Sequence, residues 1–253
     1  MLEQISVFGG PAWTFNEVRG QWYLHQFASK QPDLNYENPA ILEELKKTLR
    51  FWLDRGAAGF RVDAVPHIFE DQRFLDEPLS NDPNADPDQY GKSFHLGKLN
   101  YSLKSIICLK GYLDHIYTWN RNETYGVIAE MRAVLQEYED QDGEHRAMMT
   151  EAYVPLADVI RFYGNETNRL ADFPFNFNLI QGIRRGFTGP ELREAIKSFL
   201  DAAPSWAWPN WVLGNHDQSR IASRFGADLV DAMAMVQLLL PGTPVTYYGE
   251  EVS

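Results

Sequence analysis

The sequence predicts an α/β protein built on a parallel sheet with crossover helices. Helix and strand patterns alternate from residue 38 onward, and three of the apolar strand patterns are followed by a carboxylate. The alternation is typical of βαβ units. A doubly wound sheet and a (β/α)8 barrel both fit it, and the polar residues at the strand ends must decide between them.

The elements are predicted from local signals, taken here in chain order. Asn38 followed by Pro39 predicts the start of the first helix, and Gly56 predicts its end. The predicted buried face of this helix contains Ile41, Leu45, Leu49 and Trp52. The later helices are predicted at residues 123–138, 156–163, 190–200 and 229–240. The strands are predicted at residues 59–65, 147–153, 173–177, 211–216 and 245–248. Residues 1–37 differ, because they are rich in glycine and aromatic residues without a helical period, which predicts a loop-rich subdomain.

Composition restricts the class of partner. The chain has 253 residues and a net charge of −12, which argues against nucleic acid or anionic lipid and is compatible with a neutral ligand. Its single cysteine, Cys108, excludes an internal disulfide and a cysteine-based metal site. His67, His95 and His115 have no ligand spacing, so no metal and no cofactor are predicted. No apolar stretch reaches 18 residues, so no transmembrane segment is predicted either.

Three acidic residues follow predicted strands. Strand periodicity places Arg61 and Asp63 on one face, where a buried arginine would keep the aspartate ionised. Glu151 follows an apolar strand, and partial burial there would raise its pKa and suit it to proton donation. His216 and Asp217 share the end of another apolar strand.

Each of these residues also has an ordinary structural interpretation. A lone aspartate at a strand end is usually a turn or cap residue, a lone glutamate can be a solvated loop residue, and a lone histidine is more often structural than catalytic. Taken together, the three acids favour a catalytic role, because the carboxyl ends of barrel strands converge on one site. Two carboxyls with a third stabilising acid are suited to glycoside hydrolysis.

Several motifs resemble a known family. Residues 59–66 (Gly-Phe-Arg-Val-Asp-Ala-Val-Pro), 149–153 (Met-Thr-Glu-Ala-Tyr) and 213–217 (Leu-Gly-Asn-His-Asp) resemble the strand-4, strand-5 and strand-7 motifs of the α-amylase superfamily. Residues 31–35 (Gln-Pro-Asp-Leu-Asn) resemble the motif of its oligo-1,6-glucosidase and α-glucosidase branch. The amino-acid sequence at residues 8–10, 22–27, 173–177 and 246–251 is similar to that of insect maltases.

The resemblance implies a fold and a set of roles. It implies a partial (β/α)8 TIM barrel holding strands 4 to 8 at residues 38–253, with residues 1–37 as the end of a subdomain inserted between strands 3 and 4. Asp63 would be the nucleophile, Glu151 the general acid and base, and Asp217 the transition-state stabiliser. The implied glucose-binding residues are Arg61, His216 and Arg220. The implied function is a retaining α-glucosidase acting on terminal α-1,4-linked glucose of maltose, sucrose and short oligosaccharides, with the two working carboxyls about 5 Å apart.

Other functions than α-glucosidase are compatible with the same sequence. The alternatives are a non-enzymatic subunit like the heavy chains of amino-acid transporters, a surface binding protein, and a glucosyl-transferring enzyme.

Residues 92–111 interrupt the sequence that resembles the family. They contain four lysines and no acid, which predicts a non-family insert: a retained intron or a genuine loop. The resemblance implies earlier strands outside this chain, so the 253-residue polypeptide alone is expected to be inactive. Its parent is expected to be extracellular or held at the cell surface by a lipid anchor, and acceptor triplets for glycosylation begin at Asn100, Asn122 and Asn165.

Overall fold

The computed structural model describes residues 4–8, 10–78 and 113–251. The chain divides into two compact units, one formed by Met1–Leu45 with Pro66–Thr124 and the other by Lys46–Val65 with Tyr125–Ser253. The predicted insert at 92–111, with Cys108, His95 and Asn100, lies outside the described residues.

The first unit contains an antiparallel hairpin that the sequence analysis did not predict. Strands β1 (Trp13–Asn16) and β2 (Gln21–Leu24) pair along their full length. The turn between them closes because the Asn16 side chain accepts the Arg19 amide at 2.9 Å and Gly20 adopts a φ of +65°. Each strand has only four residues, which is too short for a clear alternating pattern.

Helix α1 (Pro39–Leu53) begins where the sequence predicts. The Asn38 side chain accepts a backbone amide of the first turn at 3.1 Å, which confirms it as the helix cap. Leu49 and Leu53 are the buried residues of the helix. The prediction for Trp52 is wrong, since its side chain is 52% exposed. Leu49 and Leu53 form the buried stripe, and Trp52 lies about 60° from Leu49 and about 100° from Leu53 around the helix axis.

The second unit contains the parallel strands. They are β3 (Gly59–Val62), β4 (Ala147–Thr150), β5 (Phe173–Pro174), β6 (Asn210–Val212) and β7 (Thr243–Val245). One parallel sheet has the order β3-β4-β5, and β6 pairs in parallel with β7. Each of the five predicted strands therefore has a counterpart in the structure, although each is shorter than predicted and the last begins earlier in the chain.

The position predicted for the last strand, residues 245–248, is wrong. The strand ends at Val245 because the following residues form a turn. In this turn the Tyr247 amide donates to the Glu250 carboxylate at 2.8 Å, and Gly249 has a φ of +77°. An aromatic pair after a strand has high strand propensity, which explains why the sequence pattern extends too far.

Helices connect these strands. They are α2 (Glu123–Asp142), α3 (Leu156–Arg161), α4 (Asn178–Gln181), α5 (Gly189–Ala202), α6 (Ile221–Phe225) and α7 (Val230–Leu239). The four helices predicted in this part of the chain are confirmed as α2, α3, α5 and α7, while the short α4 and α6 were not predicted. Helix α2 buries the apolar side chains of Val127, Ile128, Met131, Val134 and Leu135. Helix α5 starts with a complete capping box between Thr188 and Glu191.

Side chains join the two parallel sheets. Asn210 accepts the Asn176 amide on Oδ1 at 2.8 Å and donates from Nδ2 to the carbonyl of Pro174 at 2.7 Å. In return, Asn176 Nδ2 donates to the Asn210 carbonyl at 3.0 Å. Both asparagines are buried, so these amides satisfy the backbone groups that face each other between β5 and β6. The order β3-β4-β5 therefore continues into β6-β7 through this asparagine junction.

Candidate active site

Strand register places Asp63 and Glu151 side by side. Val62 and Thr150, the last residues of β3 and β4, are opposite each other in the parallel ladder. The Glu151 amide extends this ladder by donating to the Val62 carbonyl at 2.8 Å. Asp63 and Glu151 therefore leave neighbouring strands at the same edge, as expected for the carboxyl ends of parallel strands.

The residue after Asp63 makes a direct contact with Glu151. Ala64 has a φ of +45°, a left-handed conformation that is uncommon for a residue with a Cβ atom. This turn directs its amide to Glu151 Oε2, which it reaches at 2.8 Å. Because Oε2 accepts this hydrogen bond, a proton on the Glu151 carboxyl is carried by Oε1.

Glu151 is suited to carry that proton at neutral pH. Its residue is 6% exposed, and burial raises its pKa to about 7. The carboxylates of Asp63 and Asp217 raise the pKa further, whereas the Ala64 amide and Arg61 lower it. The predicted rise in this pKa is therefore confirmed, and the interactions place two other acids within electrostatic range of Glu151.

Arg61 forms an ion pair with Asp63, from Nη1 to Oδ1. The expectation that this arginine is buried is wrong, because Arg61 is exposed. Among the described strands β3 pairs only with β4, and the Arg61 side chain is 36% exposed. The ion pair between Arg61 and Asp63 is accordingly open to solvent, and its contribution to stability is small.

Asp217 lies five residues beyond the end of β6, next to His216. His216 Nε2 lies 3.6 Å from Asp217 Oδ2, and both side chains are more than half exposed. The Asp217 amide donates to Asn215 Oδ1 at 3.0 Å. Asn215 was part of the strand-7 motif recognised in the sequence, but no role was predicted for it.

Arg220 packs against the segment that follows β7. Its guanidinium lies 4.9 Å from the Tyr247 ring centroid and 4.4 Å from that of Tyr248. Its Nη1 also donates to the Tyr248 carbonyl. The structure thus surrounds this predicted glucose-binding arginine with two aromatic rings, which the sequence analysis noted only as part of a family motif.

The described residues contain a buried carboxyl with a pKa raised to about 7 and two accessible carboxyls at one group of strand ends. A buried acid with a pKa near 7 can donate a proton at neutral pH, and an exposed carboxylate next to it can act as a nucleophile.

In the described parts of the chain, no three histidine, cysteine, aspartate or glutamate side chains lie together so that they could hold a metal ion. His67 is instead hydrogen-bonded through Nδ1 to Gln26 at 2.9 Å. Among the described helices, none is long and apolar enough to cross a membrane.

Comparison with known proteins identifies the family. Residues 3–253 match the family described as "Alpha amylase, catalytic domain", and the chain belongs to this family. Its fold class is therefore the (β/α)8 TIM barrel of that domain.

Two curated relatives and one solved structure are similar to this chain over nearly its whole length. The chain is 44% identical to the salivary alpha-glucosidase of Aedes aegypti over 252 residues, which is 98% of this chain and 40% of the relative. It is 37% identical to the human amino acid transporter heavy chain SLC3A1, over 98% of this chain and 33% of the relative. The crystal structure of the alpha-glucosyl transfer enzyme XgtA superposes with a TM-score of 0.77 at 25% identity, covering 98% of this chain and 43% of that one. The chain thus spans about two fifths of the length of its curated mosquito relatives.

Proposed function

We propose that this chain carries the catalytic residues of a retaining α-glucosidase. The observation that supports it most is the pair formed by Glu151, whose pKa is raised to about 7, and Asp63 at the same edge of the neighbouring strand. The similarity to an insect salivary alpha-glucosidase supports the same activity.

The proposed reaction has two steps. In the first, the Asp63 carboxylate bonds to the anomeric carbon of the terminal glucose while the bond from that carbon to the leaving-group oxygen breaks. Glu151 transfers its Oε1 proton to that oxygen. In the second step, Glu151 takes a proton from a water molecule as the water attacks the anomeric carbon and releases Asp63. Two inversions give α-glucose as the product, which is net retention.

Other residues are proposed to hold the sugar. Asp217 would stabilise the positive charge of the transition state and bind sugar hydroxyls. Arg61, His216 and Arg220 would bind around the same glucose. An ion pair such as that between Arg61 and Asp63 favours the ionised carboxylate, which is the form a nucleophile requires.

Substrate, domain organisation and location belong to the same proposal. We propose maltose, sucrose and short α-1,4-linked oligosaccharides as substrates. Residues 38–253 are proposed to supply strands 4 to 8 of the barrel, and residues 1–37 the end of the inserted subdomain. An extracellular location, with or without a lipid anchor, fits the salivary origin named for the insect relatives.

The test is hydrolysis of maltose and of an aryl α-glucoside by the protein expressed from its own gene. Asp63→Asn should abolish activity, since the amide cannot act as nucleophile, and the wild type should release α-glucose first, as seen by NMR of the anomers. Asp201→Asn is the matched control: it removes a carboxylate at the end of α5 whose ion pair with Lys197 is exposed, so activity should stay within about twofold. Release of β-glucose, or full activity in Asp63→Asn, would exclude the proposed nucleophile.

A second candidate function is a non-enzymatic subunit. The 37% identity to a human amino acid transporter heavy chain favours it, because that relative is similar over nearly the whole chain. A wild-type protein that is folded by circular dichroism but releases no glucose would support this role. Glucose transfer to a second sugar is a variant of the first proposal, and product analysis at high sugar concentration separates transfer from hydrolysis.

A further inference from the structure

Asn215 makes hydrogen bonds in two directions. Its Oδ1 accepts the Asp217 amide at 3.0 Å, and its Nδ2 donates to the Tyr153 hydroxyl at 2.6 Å. Tyr153 lies two residues after Glu151 at the end of β4, whereas Asp217 follows β6. One side chain therefore connects the backbone of the proposed stabilising acid to the strand end that carries the proposed general acid.

The Tyr153 side chain is held in place by packing. Its ring stacks on Phe177 with 4.2 Å between centroids and 20° between planes. Phe177 belongs to a buried cluster with Ile180 and Val212. Because the ring is packed against this core, the hydroxyl has little freedom to move, and burial raises its pKa, so it stays protonated and neutral.

Asp217 itself has few restraints on its side chain. The side chain is 51% exposed, and the nearby His216 lies at 3.6 Å, which is beyond hydrogen-bond distance. Its position must therefore be set largely by its backbone. Two bonds restrain that backbone locally: the Asp217 amide donates to Asn215 Oδ1 at 3.0 Å, and the Gln218 amide donates to the Asn215 carbonyl at 3.2 Å.

We propose that Asn215 and Tyr153 form a positioning pair that holds Asp217 in place for transition-state stabilisation. The inference rests on the proposed function. Neither residue transfers a proton or contacts a reacting atom. The pair transmits the rigidity of the core under Phe177 to the exposed turn at Asp217, and its loss should lower kcat more than it raises KM.

Tyr153→Phe tests the pair, because it removes the hydroxyl but keeps the stacked ring. We expect kcat on an aryl α-glucoside to fall about 10- to 100-fold, the effect of a small misplacement of a stabilising group. Tyr163→Phe is the matched control, since Tyr163 is also buried and its hydroxyl donates to the Trp208 carbonyl at 2.9 Å, away from the three acids. Its kcat should stay within about twofold.

A double-mutant cycle identifies the residue through which the pair acts. On an Asp217→Asn background, Tyr153→Phe should cost less than about twofold, because the group it positions is already disabled. The alkaline limb of the pH profile, which Glu151 sets, should not move. If Tyr153→Phe fails to fold, Asn215→Ser serves instead, because a serine hydroxyl can accept the Asp217 amide, whereas its side chain is one bond too short to replace Nδ2 at the Tyr153 hydroxyl.

The outcomes separate the two proposals. Equal activity per folded molecule in Tyr153→Phe, Tyr163→Phe and wild type would overturn the positioning role and leave the α-glucosidase proposal intact. A full loss that persists on the Asp217→Asn background, or a shifted alkaline limb, would also overturn it, since the pair would then act on another group. A wild-type protein without glucosidase activity would refute the proposed function, and the positioning role would fall with it.

Discussion

Replacing Glu151 by glutamine should make the folded protein more stable at alkaline pH. Its carboxyl has a pKa of about 7 in the folded protein, compared with the ordinary value of 4.5 that it takes in the unfolded chain. Between these values the unfolded chain loses the proton and the folded protein keeps it, so this group lowers wild-type stability as pH rises through the window. At about 1.36 kcal/mol for each pKa unit, the difference corresponds to a penalty of about 3 kcal/mol above pH 7. Glu151→Gln removes the penalty, because its amide is neutral at every pH.

The assay is urea unfolding of wild type and variant at a series of pH values from 4 to 8. The two free energies of unfolding should differ least at pH 4 and diverge in favour of the variant up to about pH 7. Glu191→Gln is a control of opposite sign. Hydrogen bonds from the Thr188 amide and hydroxyl lower the pKa of Glu191, so this carboxylate stabilises the fold above pH 4.5. The variant should therefore have a lower free energy of unfolding than the wild type above pH 4.5. A Glu151→Gln protein that follows the wild-type pH dependence would show that the carboxyl ionises freely in the folded state, which would refute its assignment as a proton donor at neutral pH.

Four further outcomes follow from the same structure. In the active protein, kcat/KM should fall above about pH 7 as Glu151 loses its proton; an alkaline limb above pH 9 would contradict this. Asn210→Ala should lower the free energy of unfolding by about 2 to 4 kcal/mol, because it leaves the Asn176 amide and a facing carbonyl buried without partners, and urea unfolding measures the loss. Gly59→Ala should destabilise the sheet or prevent folding, since a Cβ atom would lie 2.2 Å from a carbonyl oxygen of β4; wild-type expression and thermal stability would contradict the packing described. Thr188→Ala should cost about 1 kcal/mol through the lost helix cap, and an unchanged midpoint would count against the capping box.

The presence of the parallel strands along the chain was predictable because each one leaves a strong local signal, although the last strand was placed too late. Buried strands read as short apolar runs, and acids placed directly after them stand out. The position of Glu151 and the rise of its pKa followed from this pattern alone. The acid residues at 63 and 217 also follow predicted strands, but their roles in catalysis remain predictions.

The errors occur where tertiary contacts override local pattern. Trp52 has the spacing of a buried residue, but the neighbouring stripe through Leu53 is the one that packs. Arg61 is exposed, because strand periodicity predicts the face on which a side chain lies but not what covers that face. The contacts of Asn215 with Tyr153, 62 residues apart in the chain, are equally invisible in the sequence.

The asparagine junction between β5 and β6 has a consequence for motion. A backbone ladder opens only when strands separate, whereas bonds supplied by amide side chains break when two side chains rotate. The amide hydrogen of Asn176 should therefore exchange with solvent through a local opening that leaves the ladder between β3 and β4 closed. Glu151 lies on one side of this junction and Asp217 on the other, so we expect a local opening at the junction to change the spacing of these two acids.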